Sequence, residues 1–153
     1  MNGDDATTAS LYKSIGEATS DAIIFADRDG RIRLWNRGAE QIFGHPASEA
    51  LGQSLDLIIP ERLRDAHWQA FDRSLRTGET KYTDRVLTTR SMHKSGARLY
   101  VDLSFGLVRD AHGTALGAFA IGRDCTERYL AQGAMKARIA SLEAQVGETP
   151  RSE

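Results

Sequence analysis

The fold of this chain is decided by residues 22–44, which read AIIFADRDGRIRLWNRGAEQIFG. An apolar, β-branched run at 22–26 is followed by turn-forming residues at 27–30, whose glycine tolerates a positive φ. Residues 31–35 then alternate polar with apolar side chains. Two such runs around a tight polar turn predict a β-hairpin, and a hairpin commits the chain to an antiparallel sheet.

Several helices are predicted around this hairpin. Asn36 is a favoured N-cap for a short helix at 37–43, and Gly44 is placed to end that helix. The remaining helical patterns predict a weak amphipathic helix at 5–18 that packs on another surface, a short turn of helix at 48–52, a longer helix from Pro60 to about Arg76, and a polar helix from Thr126 towards Val146.

Beyond Gly78 the apolar period changes from helical to twofold. This pattern predicts strands at 82–92, 98–108 and 115–122, which the turn-forming residues between them join in sequence. Along the second of these strands one face is continuously apolar and must be buried; it carries Leu99, Val101, Leu103, Phe105 and Leu107.

The predicted fold class is therefore α+β: a five-stranded antiparallel sheet with short helices on one face, flanked by N- and C-terminal helices. We assign residues 1–19 to an N-terminal amphipathic helix or cap and residues 20–125 to the central domain. Residues 126–147 form the C-terminal helix, and residues 148–153 are expected to be a disordered tail.

The amino-acid composition and the missing motifs narrow the range of functions that the chain can have. The formal net charge of −1 gives no electrostatic reason to expect nucleic acid or an anionic membrane as a partner, and Cys125 is the only cysteine, so no internal disulfide can form. No apolar run has the length of a signal peptide core or a membrane span, so we expect a cytoplasmic protein. Because phosphate loops, nucleophile elbows and paired metal-binding histidines are missing from the sequence, we expect no enzymatic activity.

Taken together, residues 20–128 resemble a PAS domain. The resemblance is carried by the segments 22–27, 29–32, 35–36, 39–44, 51–53, 94–96 and 123–128. It implies a sensory or dimerisation module in which the sheet cups a pocket under short helices and the terminal helices transmit the signal. The last segment is similar to the Asp-x-Thr ending of the final PAS strand, with Cys125 in place of the usual aliphatic residue; we interpret this cysteine as structural.

The helix from Pro60 carries the sharpest chemical hypothesis. His67 lies four residues after Leu63 and four before Phe71, so its imidazole is predicted to project from an apolar stripe towards the core. A neutral imidazole in an apolar cavity is a natural axial ligand for haem iron. The segment also resembles the proximal helix of haem-PAS oxygen sensors, which implies His67 as the metal ligand and haem b as one candidate cofactor.

The same resemblance assigns further positions. It places Arg73 and Lys81 near the haem propionates, and it places Tyr82, Leu103 and Phe105 on the apolar wall that faces the iron. Where oxygen-binding members supply an arginine, this chain has Leu87. If haem binds, carbon monoxide, nitric oxide or redox sensing is therefore as plausible as oxygen sensing.

Two alternatives stay open. His67 also fits an ordinary core histidine, in which case the pocket takes no cofactor or an unknown small molecule, or is filled by its own side chains in a ligand-free interaction domain. The other histidines, His45, His93 and His112, lie in predicted turns and are expected at the surface. As partners we expect a second copy of the chain and a downstream signalling protein. The copy would pair either through the terminal helices, where Met135, Ile139, Leu142 and Val146 form a short coiled-coil seam, or through the exposed face of the sheet.

Overall fold

The computed structural model describes residues 3–80 and 85–148. In chain order the elements are α1 (Gly3–Ala18), β1 (Ala22–Asp27), β2 (Ile32–Trp35), α2 (Arg37–Phe43), α3 (Ala47–Ala50), a 3-10 turn (Leu55–Leu57), α4 (Glu61–Thr77), β3 (Val86–Met92), β4 (Arg98–Arg109), β5 (Ala115–Asp124) and α5 (Thr126–Glu148). The α+β prediction is confirmed, as are the hairpin and the order of helices and strands.

The five strands form one antiparallel sheet in the order β2-β1-β5-β4-β3. Alternation along the strands divides the sheet into two faces. The inner face meets α2, α3, the 3-10 turn and α4. Of the apolar positions predicted to be buried in β4, Leu99, Val101 and Leu103 are almost completely covered, whereas Phe105 and Leu107 are half-buried. The core therefore lies between one face of the sheet and the short helices.

Asn36 joins the hairpin to the helix that follows it. Its side-chain Oδ1 accepts hydrogen bonds from Ala39 N at 3.0 Å, which makes it the N-cap of α2, and from Ile23 N at 2.7 Å. Its Nδ2 donates to Gly16 O at 2.7 Å and to Asp21 O at 2.9 Å. A single buried side chain thus fixes β1, α2 and the end of α1 to one another.

Three expectations change. His45 is buried, not at the surface, because its carbonyl accepts a hydrogen bond from Trp35 Nε1 at 2.9 Å and its ring packs edge-on to Trp35. The helix α1 forms as predicted but buries none of its residues, so Leu11 and Ile15 stay exposed. The strand predicted at 82–92 begins at Val86 in the structure, and positions 82–84 lie outside the described residues.

None of the described helices is both long enough and apolar enough to cross a membrane.

Candidate functional site

An apolar cavity of about 170 Å³ lies between α4 and the inner face of the sheet. Most of its wall is aliphatic or aromatic, and its polar contribution comes from α4 and β3. The lining residues are Ile24, Ala26, Leu55, Ile58, Ile59, Leu63, His67, Phe71, Thr89, Arg90, Ser91, Leu103, Phe105, Ala118, Phe119 and Ala120. A second cavity of about 100 Å³ shares His67, Phe71, Phe105 and Ala118 with the first. The histidine therefore belongs to the walls of both.

His67 occupies the position that the helical spacing predicts. Its ring meets Trp68 edge-on, with the ring centres 4.7 Å apart, and lies against Phe71 at 6.0 Å. Trp68 is itself held by a hydrogen bond of 2.8 Å from its Nε1 to Asp56 Oδ1. Two aromatic neighbours on the same helix thus fix the imidazole at the cavity wall.

The His67 imidazole is partly removed from solvent, and one of its ring nitrogens has no hydrogen-bond partner. Burial lowers the pKa of His67 below its usual value, and the opposing effect of the Asp56 carboxylate is smaller. The Nδ1 atom is buried and has no hydrogen-bond partner. A buried nitrogen in this state is costly, and a bound molecule that supplied the missing hydrogen bond would remove that cost.

The other predicted site residues separate into three groups. Leu103 and Phe105 line the cavity as expected. Arg73 is exposed and Leu87 is half-buried, and neither belongs to the cavity wall. Leu87 lies opposite the wall residue Leu103 in the β3–β4 pair, but it is not itself part of the wall. Lys81 and Tyr82 lie outside the described residues.

Two hydroxyl residues of the wall were missed at the sequence level. Thr89 and Ser91 lie opposite Val101 and Leu99 in β4, so they share the inner face of the sheet, and Ser91 is almost completely buried. Arg90 also belongs to the wall; it lies opposite Tyr100, so alternation along β3 directs its side chain to the outer face, where its Nε is buried without a hydrogen-bond partner. Thr89 and Ser91 could have been identified from the sequence, because they are polar residues at inward positions of a strand that the sequence did predict.

The cavity does not fit a haem as it stands. Ligand sites for drug-sized molecules span roughly 300–1,000 Å³, and a haem is at least as large as such molecules. The volume of about 170 Å³ is well below that range. A metal-ligating histidine also nearly always donates its second ring N–H to a partner, whereas Nδ1 of His67 has none. The neutral imidazole has the right donor chemistry, but the space and the supporting hydrogen bond are missing around it.

Strand β4 connects the cavity to α5. On its inner face Leu103 and Phe105 line the cavity, and on its outer face Tyr100 and Asp102 hold the start of α5. The Tyr100 ring stacks on Tyr129, with the ring centres 3.8 Å apart and the planes inclined by 19°. The two sets of residues alternate along the same strand, as the twofold period requires.

The Asp102 carboxylate ties three elements together. It accepts hydrogen bonds from Thr88 Oγ1 in β3 at 2.6 Å, from Cys125 Sγ at 3.4 Å and from the Arg128 guanidinium in α5. The Thr88 hydrogen bond and, next, the Arg128 guanidinium lower the pKa of Asp102. Burial, followed by the hydrogen bond to Asp102, raises the pKa of Cys125, so this thiol stays protonated. We name Asp102, Thr88, Cys125 and Arg128 the Asp102 cluster.

Main-chain hydrogen bonds reinforce this junction. Asp124 Oδ1 accepts from Thr126 N at 2.8 Å and so caps the first turn of α5. Thr126 Oγ1 accepts from Tyr100 N at 2.9 Å, and Cys125 N donates to Tyr100 O at 2.8 Å. These bonds connect the Asp-x-Thr segment both to the first turn of α5 and to β4.

The chain belongs to the PAS fold family: the model of that family matches residues 17–130, which is most of the chain. Among solved structures, a PAS domain from Colwellia psychrerythraea superposes with a TM-score of 0.69 at 20% identity, covering 78% of this chain and 98% of that one. An RNA-binding light-oxygen-voltage receptor superposes with a TM-score of 0.71 at 19% identity, covering 95% of this chain and 40% of that one. These two likenesses show the shared fold.

Sequence relatives are longer proteins. An uncharacterized protein of Azorhizobium caulinodans is 30% identical over 89% of this chain and 18% of its own length. The sensor protein FixL of Bradyrhizobium diazoefficiens is 27% identical over 95% of this chain and 28% of its own length. The oxygen sensor protein DosP of Escherichia coli is 20% identical over 70% of this chain and 13% of its own length. The chain thus spans less than a third of each of these relatives, and it is a PAS sensory domain.

Proposed function

We propose that this chain is a ligand-responsive PAS domain that detects a small molecule in the cavity beside His67 and passes the event through β4 to α5. The observation that carries this proposal is the position of β4, which contacts the cavity with Leu103 and Phe105 and holds α5 with Tyr100 and Asp102. The names of FixL and DosP, as a sensor and an oxygen sensor, support a sensory role for the domain. The domain binds and signals but performs no chemistry on its ligand.

The cavity distinguishes this proposal from a ligand-free interaction domain. Protein interiors are packed to crystal-like density, with few voids larger than a water molecule. A hollow of about 170 Å³ against the helix α4 exceeds such voids several-fold. Its occupant would bind one arrangement of β4 and α5 better than the other, and that difference in affinity shifts their populations.

Filling the cavity tests the coupling. Ala120→Leu adds three carbons to the cavity wall at the position in β5 that pairs with Phe105 of β4. The larger side chain therefore mimics an occupant and presses on β4. We expect hydrogen exchange to become about tenfold faster at the amides of Tyr100, Cys125 and Tyr129, a change of about 1.4 kcal/mol in local opening. Mass spectrometry with fragmentation, or NMR, measures these amides individually.

The matched control for this experiment is Ala111→Leu, which makes the same change at an exposed position in the β4–β5 turn. Its junction amides are expected to exchange at the unmodified rate. Equal exchange rates in Ala120→Leu and Ala111→Leu would show that the cavity is not coupled to α5, and the proposed function would then be wrong.

We further propose that α5 pairs with α5 of a second copy and delivers the signal to a downstream signalling protein. Met135, Ile139 and Leu142 follow one another at coiled-coil spacing along α5, and each is about half exposed or more. Burial of such a seam against a second copy removes apolar surface from water, at about 25 cal/mol per Å².

The seam makes a direct prediction. Ile139→Lys places a charge in the middle of the paired helices, and we expect it to weaken the dimer at least tenfold, as measured by sedimentation velocity over a concentration series. Ser141→Lys adds the same charge on the opposite side of α5 and should leave the dimer unchanged. An equally strong dimer in both variants would place the interface elsewhere, for example on the outer face of the sheet.

Haem b is the second candidate occupant, and His67 is the observation that favours it. A neutral imidazole at an apolar wall is the form that binds iron, and gas or redox sensing would follow from it. The cavity volume and the unpartnered Nδ1 count against this candidate. The smaller ligand is therefore the proposal that the geometry supports best.

A further inference from the structure

We propose that the natural ligand is a small, uncharged aromatic or heteroaromatic molecule of one or two rings that carries a hydroxyl or an equivalent hydrogen-bonding group. This inference rests on the proposed function, because it names the class of molecule that the same cavity takes. Three properties of the wall lead to it: volume, charge and unmet hydrogen bonds.

Volume sets the size of the ligand. An apolar cavity of about 150 Å³ in another protein holds one benzene molecule. The cavity beside His67 measures about 170 Å³, and the neighbouring hollow of about 100 Å³ on the other side of His67 and Phe71 gives limited room for a second ring. The aromatic side chains Phe71 and Phe105 form part of both walls, and ring faces and edges are favourable partners for another ring.

Charge sets the protonation state of the ligand. The described wall contains no carboxylate, and alternation along β3 directs the side chain of Arg90, its one guanidinium, to the outer face of the sheet. A carboxylate or an ammonium group bound here would lose its hydration without gaining a counter-charge, which is strongly unfavourable. The ligand is therefore uncharged under the conditions in which it binds.

The unmet hydrogen bonds set the polar group. Nδ1 of His67 is buried without a partner, and Thr89 and Ser91 present side-chain hydroxyls from the inner face of β3. Nδ1 donates or accepts according to the tautomer of the imidazole, whereas a ligand hydroxyl does both. One hydroxyl on the ring can therefore satisfy either tautomer, with Ser91 or Thr89 as a second partner.

Three probes of matched size test this inference on the full chain: benzene, phenol and benzoate. Binding is measured at pH 7 by the thermal shift and by NMR titration. Phenol is expected to bind about tenfold more tightly than benzene, the factor that one net hydrogen bond supplies, and benzoate is expected not to bind. His67→Phe should abolish the preference for phenol while benzene binding continues, and Ser91→Ala should reduce the preference. His112→Phe, in the exposed β4–β5 turn, should leave it unchanged.

The outcomes separate the ligand class from the function. Phenol that binds no better than benzene, or benzoate that binds better than phenol, overturns the ligand class, while the exchange experiment on Ala120→Leu still decides the proposed function. A Soret band in protein produced with haem available, lost in His67→Ala, also overturns the ligand class and assigns the cavity to haem. No binding of any probe together with no Soret band likewise overturns the ligand class, and equal exchange rates in Ala120→Leu and Ala111→Leu are the separate result that overturns the ligand-responsive function.

Discussion

Replacing Asn36 with alanine is expected to lower the free energy of unfolding by about 3 kcal/mol or more. The substitution removes the N-cap of α2 and leaves Ile23 N and Asp21 O without their partner in a part of the structure where Asn36 is 2% exposed. Loss of a cap costs about 1 kcal/mol, and each buried group left unpaired costs about 1–3 kcal/mol. Urea denaturation at 25 °C, followed by circular dichroism, measures the change.

Two further variants control this experiment. Asn36→Asp keeps an oxygen that accepts from Ile23 N and Ala39 N but cannot donate to Gly16 O or Asp21 O, so we expect an intermediate loss. Ser54→Ala removes a cap with one hydrogen bond, to Asp56 N, and should cost about 1 kcal/mol or less. If Asn36→Ala were no more destabilising than Ser54→Ala, Asn36 would be an ordinary cap and not the junction of three elements.

Asn36 also shows how far the sequence could be interpreted. Its role as an N-cap was predictable, because a cap bonds an amide three residues away and the helix pattern follows at once. Its bonds to Gly16, Asp21 and Ile23 were not predictable, since they depend on how α1 and β1 meet in space. Local periodicity likewise predicted the hairpin, β4 and the inward position of His67, each of which rests on contacts close in sequence.

The rest of the site depends on contacts between distant residues. Asp102 and Arg128 meet only because β4 pairs with β5 and α5 then turns back over the outer face of the sheet. The burial of His45 depends on Trp35, and the cavity volume depends on the spacing of α4 from the sheet. The resemblance to haem sensors placed His67, Leu103 and Phe105 around one cavity, and all three line the cavity in the structure. The volume of that cavity cannot be obtained from residue types.

The second large effect is expected at Gly122, where β5 passes very close to β4. A Cβ built on Gly122 would overlap the main-chain oxygen of Asp102 and would come within 3.0 Å of Leu103 Cα. These are backbone atoms, so no side-chain rotation can relieve the overlap and the two strands must separate. We expect Gly122→Ala to lower the free energy of unfolding by about 3 kcal/mol or more, measured by urea denaturation.

Gly133→Ala is the matched control, because a Cβ there would meet nothing within 4 Å. In the helix α5 this change should stabilise by up to about 1 kcal/mol, since alanine is the better helix former. The same substitution is thus expected to act in opposite directions at the two glycines. A loss below about 1 kcal/mol for Gly122→Ala would mean that β4 and β5 separate easily.

The close packing at Gly122 bears directly on the proposed transmission of the signal. Gly122 pairs with Leu103, which lines the cavity, and its close neighbour Asp102 holds Arg128 at the start of α5. If a ligand displaces Leu103, this closely packed junction has no free volume to absorb the displacement. Asp102 would then move as well. In the proposed function, stiffness at Gly122 is what would allow a small molecule that does not reach α5 to change how that helix is held.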